Sequence, residues 1–212
     1  MEPTEHNRRA WDEIHRQRSE ALAGERGLPS PVRHALADLK GKRVLHLQCG
    51  TGESTAELAE LGAVVTGVDS SGQALEAARE RWPSILWVQA DPQALPGELR
   101  RGRVDLVYAG LGSLSDITDL DAWTRGIAAS LHSGADFLLF EEHPVALVVD
   151  GLMHWRESYF AEGSRRLGQI VNAVTRAGLG VRALEEYPAR SEGFRRHDAR
   201  IPGTFLLYAQ KA

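Results

Sequence analysis

From Arg43 onward, short apolar runs alternate with stretches whose apolar residues recur every three or four positions. Runs of the first kind are strands buried on both faces and stretches of the second are helices with one apolar stripe, so a parallel sheet flanked by helices is predicted. The predicted strands are Arg43 to Leu47, Ala63 to Val68, Ile85 to Gln89, Val104 to Ala109 and Ala135 to Glu141. Predicted helices run from the turn Gln48 to Gly52 through Leu61, over Gly72 to Arg81 behind an N-cap at Ser70 or Ser71, and over Asp119 to Leu131. A further helix of roughly 15 residues, ending near Gly178, follows from the spacing of Leu167, Ile170, Val171 and Val174. Val181 to Tyr187 and Thr204 to Gln210 complete the strands, and the polar loop Pro188 to Gly203 between them is too helix-poor for a right-handed crossover. They are expected to be antiparallel.

The expected fold class is therefore α/β: a mostly parallel seven-stranded sheet with an antiparallel last strand and helices on both faces. At 212 residues the chain fits a single domain. Within it, residues 1–40 read as an amino-terminal helical cap, 41–142 as a ligand-binding core, 143–163 as a substrate-side segment, and 164–212 as the last helix and hairpin. In the cap, Asn7 to Leu22 sets Ala10, Trp11, Ile14 and Ala21 along one side of a helix, which is either a lid or an extra packed helix.

Composition narrows the partners. A net charge of −4 argues against a nucleic-acid coat, whose phosphates demand a concentrated basic face. No stretch approaches the roughly 18 apolar residues of a membrane span, and the charged segment Met1 to Arg18 lacks the apolar region of a secretory signal. A cytoplasmic address is the expectation. The single cysteine, Cys49, agrees with a reducing compartment and suits a small buried role.

The chemistry-bearing motif is Val44-Leu45-His46-Leu47-Gln48-Cys49-Gly50-Thr51-Gly52, a strand entering a glycine turn that opens a helix. Glycine serves where backbone approaches a ligand or takes positive φ, and the helix start presents unpaired N–H groups. Asp69 ends the next strand about 20 residues on, where a carboxylate can accept both hydroxyls of a ribose. Asp91 follows the third strand, as a candidate acceptor for an adenine amino group. A nicotinamide dinucleotide fingerprint wants a third glycine where this chain has Thr55, and its usual sheet has no place for an antiparallel hairpin. Both points favour S-adenosylmethionine.

At these residues, and with Asn7-Arg8-Arg9-Ala10-Trp11-Asp12 at the amino end, the chain resembles the class I S-adenosylmethionine-dependent methyltransferases, most nearly a bacterial group acting on small molecules. The resemblance runs from about Asn7 to the end and implies a Rossmann-like fold. It implies cofactor contacts at Trp11, Gln48, Gly50, Gly52, Asp69, Ser70, Asp91, Ala109 and Gly110, with Tyr108 to Gly112 lining the methionyl end. The chain departs from the family's common motif at His46, where an acid is usual, and at Gln48, where another glycine is usual. A non-catalytic nucleoside-binding module on the same fold is the alternative that those departures motivate, with an NAD(P)-dependent oxidoreductase behind it.

Methyl transfer from an activated sulfonium needs alignment and exclusion of water, not a nucleophile of the enzyme's own. The absence of a Ser/His/Asp or Cys/His signature accords with that. Glu141-Glu142-His143-Pro144 follows the fifth strand and makes His143 the first candidate general base, with Glu142 next; the other reading of His143 is a packed or hydrogen-bonded loop residue. Three adjacent residues cannot readily share one ion, so no metal is expected. Met153, Trp155, Tyr159 and Phe160 suggest an apolar pocket wall, a satellite core or a dimer contact. Arg195, Arg196 and Arg200 are solvated surface or a grip on an anionic group.

Overall fold

The computed structural model describes residues 27–36, 38–149, 153–189 and 199–212. The chain divides into two compact units, Met1–Asp91 and Pro92–Ala212.

In the first unit, α1 (Ser30–Ala35) precedes β1 (Arg43–Leu47), α2 (Glu53–Glu60), β2 (Val64–Asp69), α3 (Gly72–Arg81) and β3 (Leu86–Gln89). β1 pairs with β2 and β2 with β3, both in parallel, with Leu47 opposite Val68 and Asp69 opposite Gln89. This register brings the turn after β1 level with the end of β2. The turn is left-handed at Gln48 (φ 52), Gly50 (φ 55) and Gly52 (φ 91). At Gly52 a second constraint acts: an added Cβ would stand 2.5 Å from the Trp87 ring. Gly67, midway along β2, clears space for the same indole, where a Cβ would come within 2.4 Å. Trp87 fills that space among Cys49, Leu75 and Ala78 and donates from Nε1 to the Trp82 carbonyl at 3.1 Å. Cys49 is thus a core residue, and burial pushes its thiol pKa up. α3 starts where Ser71, not Ser70, accepts the Ala74 N–H.

In the second unit, β4 (Val104–Ala109), α4 (Leu120–Ser130), β5 (Leu131–Glu142), α5 (Pro144–Val148), α6 (Leu167–Arg176), β6 (Leu179–Pro188) and β7 (Pro202–Lys211) follow in order. β4 and β5 are parallel, whereas β7 runs antiparallel to both β5 and β6. The strand order is β3-β2-β1-β4-β5-β7-β6, a seven-stranded mixed sheet with the expected antiparallel strand. Trp123 of α4 meets Phe137 of β5 edge to face at 5.8 Å, and both rings are fully buried.

Several boundaries differ from expectation for physical reasons. β5 begins at Leu131, before the predicted Ala135, because its polar start has partners: His132 Nε2 lies 3.0 Å from Asp105 and the Gly134 carbonyl accepts from Gln210. α6 is shorter than predicted because Gln169 reaches back to accept the Arg166 N–H at 2.9 Å and fixes the first turn there. β6 and β7 each extend to ten residues, ending where Pro188 faces Pro202 and neither supplies an N–H. The cap helix with Trp11, and Arg195 and Arg196, lie outside the described residues. No helix among the described residues is long and apolar enough to cross a membrane.

Candidate active site

In the first unit the sequence-predicted cofactor residues converge around one carboxylate. Asp69, 7% exposed, accepts the Gly50 N–H on Oδ2 and the Ser71 N–H on Oδ1, each at 2.8 Å. A carboxylate offers about four lone-pair positions, so each oxygen retains one toward a ligand hydroxyl. Gly50 and Gly52 are buried in the turn, Gln48 is half-buried, and Ser70 beside Asp69 is exposed. Asp91 lies two residues beyond β3, exposed, where the Ala90 N–H closes onto the Asp69 carbonyl at 3.0 Å. The turn, the free lone pairs and the acid past β3 fit a nucleoside with a polar tail.

His46 resolves the departure from the common motif. Its ring is 4% exposed, and Nδ1 lies 2.7 Å from the Thr55 hydroxyl in the first turn of α2. Burial drives its pKa down to about 3, so it is neutral. It therefore supplies no charge in place of an acid; it ties β1 to α2. Thr55, at the position where a third glycine was sought, is fully buried as its partner.

In the second unit, Ala109 is buried at the end of β4, and Gly110 is half-buried just beyond it. A cavity of about 460 Å³ is lined by Leu114, Glu141, Glu142, Leu147, Tyr159 and Arg165, among others. Glu142 is half-buried there. His143 is absent from the lining. Its Nδ1 accepts the Val145 N–H at 3.1 Å to cap α5, and its Nε2 lies 2.9 Å from Glu186 Oε1. An Nδ1 that accepts leaves the proton of the neutral ring on Nε2, and burial lowers the ring's pKa. Nδ1 is thus spent on capping α5, whereas Nε2, though near Glu186, makes no hydrogen bond among the described residues; of the two base candidates, Glu142 is the one that lines the cavity.

The loop after β4 is bound to its surroundings through Glu141, which no periodicity singled out. Its carboxylate accepts the Gly112 N–H at 2.8 Å, the Leu114 N–H at 2.9 Å, the Glu142 N–H at 2.7 Å and the Ser113 hydroxyl at 3.3 Å. Burial still pushes its pKa above the usual carboxylate range. Arg165 donates to the Leu114 carbonyl from the other direction. Of the expected aromatic wall, Tyr159 lines the cavity and accepts the Leu167 N–H at 3.1 Å, while Trp155 and Phe160 are 63% and 72% exposed.

The chain thus combines a glycine turn with left-handed residues, an acid ending β2 that grips that turn, and an antiparallel seventh strand. A family model described as a methyltransferase domain matches residues 44–134. An uncharacterized methyltransferase of Synechocystis is 37% identical over 111 residues, 51% of this chain and 50% of that protein. A trans-aconitate 2-methyltransferase of Paracidovorax citrulli is 48% identical over 71 residues, 31% of this chain and 26% of that protein. The chain thus spans half or less of these curated relatives. Among solved structures, an S-adenosylmethionine-dependent methyltransferase of Mesorhizobium loti superposes with TM-score 0.69 at 25% identity, over 85% of this chain and 96% of that one. The matches to a methyltransferase domain, to methyltransferase relatives and to solved S-adenosylmethionine-dependent methyltransferases support a class I S-adenosylmethionine-dependent methyltransferase with S-adenosylmethionine as cofactor.

Proposed function

We propose that the protein methylates a small molecule through a basic nitrogen, with the acceptor held in the cavity of the second unit. The observation that carries the acceptor class is the charge of the lining. Among the described residues, four glutamates, Glu141, Glu142, Glu157 and Glu162, line it with one guanidinium, that of Arg165. A polycarboxylate such as trans-aconitate would bring like charge into this space, at a cost that like charges at close range impose in any partly dry site. An ammonium group is complementary to it.

S-adenosylmethionine, when bound, supplies a methyl group already activated by its sulfonium. The chain's own residues bind, align and move one proton. Asp69 would hold the ribose hydroxyls, Asp91 the adenine amino group, and Gln48, Gly50 and Gly52 the methionyl part, with Ser70 as a further cofactor contact. Glu142 pairs with the acceptor's ammonium and takes its proton, which frees the nitrogen lone pair for methylation. Leu147, Val148 and Ile170 supply apolar wall against water.

Calorimetry with S-adenosylmethionine tests the cofactor assignment first, and absence of saturable binding refutes it. A panel of primary and secondary amines and di- and tricarboxylates, incubated with labelled cofactor, tests the acceptor class. Label is expected on amines. Labelled carboxylates with unlabelled amines would overturn the acceptor assignment and leave the cofactor assignment standing. Cofactor binding without any methylated product would favour a non-catalytic nucleoside module.

A further inference from the structure

The loop after β4, from Gly110 to Ser115, has no helix or strand of its own, yet it forms one side of the cavity through Leu114 and Ser115. A loop with unpaired backbone groups holds one conformation only if other groups satisfy them. The half-buried Gly112 N–H, the buried Leu114 N–H and the Ser113 hydroxyl all end on the Glu141 carboxylate. The Leu114 carbonyl accepts from Arg165 as well as from the Ile117 N–H at 3.3 Å. The loop's internal turns, Ser113 N–H to the Gly110 carbonyl and Ser115 N–H to the Gly112 carbonyl, are thus held from outside at two N–H groups and a hydroxyl by a carboxylate on β5, and at one carbonyl by a guanidinium just ahead of α6.

We infer that Glu141 and Arg165 are positioning residues that jointly clamp the loop Gly112–Leu114 and so set the acceptor wall of the cavity. The inference rests on the reading of this cavity as the acceptor site, but the clamp itself is testable without that reading. Glu141 does not act on the acceptor directly, because its oxygens are taken up by four donors. Glutamine at 141 keeps the volume and one acceptor oxygen but turns an N–H donor toward backbone N–H groups. Methionine at 165 keeps most of the stem and removes the donor to Leu114.

Hydrogen–deuterium exchange on wild type, Glu141→Gln and Arg165→Met reads the clamp. Amides of residues 112–115 are expected to exchange at least 10-fold faster in either variant, with the segment 43–69 unchanged. Kinetics on an amine that the wild type methylates then reads positioning. The acceptor KM should rise about 10-fold or more, while the cofactor dissociation constant stays within threefold. Unchanged exchange in both variants overturns the clamp, whatever the activity. Faster exchange with an unchanged acceptor KM overturns the positioning role and leaves a structural one. Should Glu141→Gln fail to fold, Arg165→Met alone carries both readouts. A wild type that binds cofactor but methylates no acceptor would count against the acceptor-site reading and not against the clamp, which the exchange data decide separately.

Discussion

Replacing Asp69 by asparagine separates the two duties assigned to that carboxylate. In the folded chain it accepts the Gly50 and Ser71 N–H groups at 2.8 Å each. Asparagine preserves one acceptor oxygen but presents an amide N–H to the other backbone donor. A hydrogen bond to a charged group contributes about 1.5–3 kcal/mol net, and a neutral one about 1. Losing one bond and the charge assistance of the other therefore costs about 2–5 kcal/mol of stability without cofactor, read as a lower urea midpoint. The ribose loses similar interactions, one acceptor position outright and the charge behind the second. The cofactor dissociation constant should then rise by about 2–4 kcal/mol, roughly 30- to 1,000-fold by calorimetry. In thermal scans, saturating S-adenosylmethionine raises the wild-type midpoint, and most of that shift should vanish in Asp69→Asn, since ligand stabilisation follows concentration over Kd. A destabilised variant whose Kd stays within threefold of wild type would refute the ribose assignment and leave Asp69 as a brace between the turn and α3.

Gly52→Ala should cost about 2–5 kcal/mol, combining left-handed strain at φ 91 with a Cβ forced onto Trp87, whereas Gly134→Ala, at φ 81 with open space around it, bears only the strain of about 1–2 kcal/mol. Equal urea midpoints for the two variants would show that the Trp87 contact does not limit position 52. Below pH 6.5 the unfolded chain protonates His46, and the native chain declines that proton until about pH 3, so this residue makes stability fall with falling pH across that window. His46→Asn should flatten that acid limb by about one proton, ~1.4 kcal/mol per pH unit, in urea titrations at stepped pH; an identical slope would place the proton elsewhere. Glu142→Gln should lower kcat by about 100-fold or more with cofactor affinity unchanged, and activity within threefold of wild type would remove it as the proton acceptor.

Elements whose signals are local were legible from the sequence. β1, β4 and α3 have the predicted ends because an apolar run between breakers, or a serine cap, needs no distant partner to act. The early start of β5 was hidden, since His132, Ser133 and Gly134 look like a turn until Asp105 and Gln210 stand beside them. Asp69 was found through its place in chain order, but its grip on Gly50 comes from the β1–β2 register. His46 read as a lost acid; Thr55, nine residues on and buried against it, makes it a neutral tie between strand and helix.

Glu141, Glu142 and His143 show where a linear reading ends. Each is chemically able to hold or move a proton, and they are consecutive, so residue type and spacing cannot rank them. Side chains leaving the end of a strand diverge, and here the directions differ in consequence. One carboxylate is spent on four donors, the next faces the cavity, and the imidazole turns back to cap α5 and meet Glu186. The donors that occupy Glu141 come mostly from residues 27 to 29 positions away, and the partner of His143 lies on β6. Tertiary surroundings, not residue type, separate the three: Glu141 holds the loop after β4, Glu142 lines the cavity, and His143 caps α5 outside its lining.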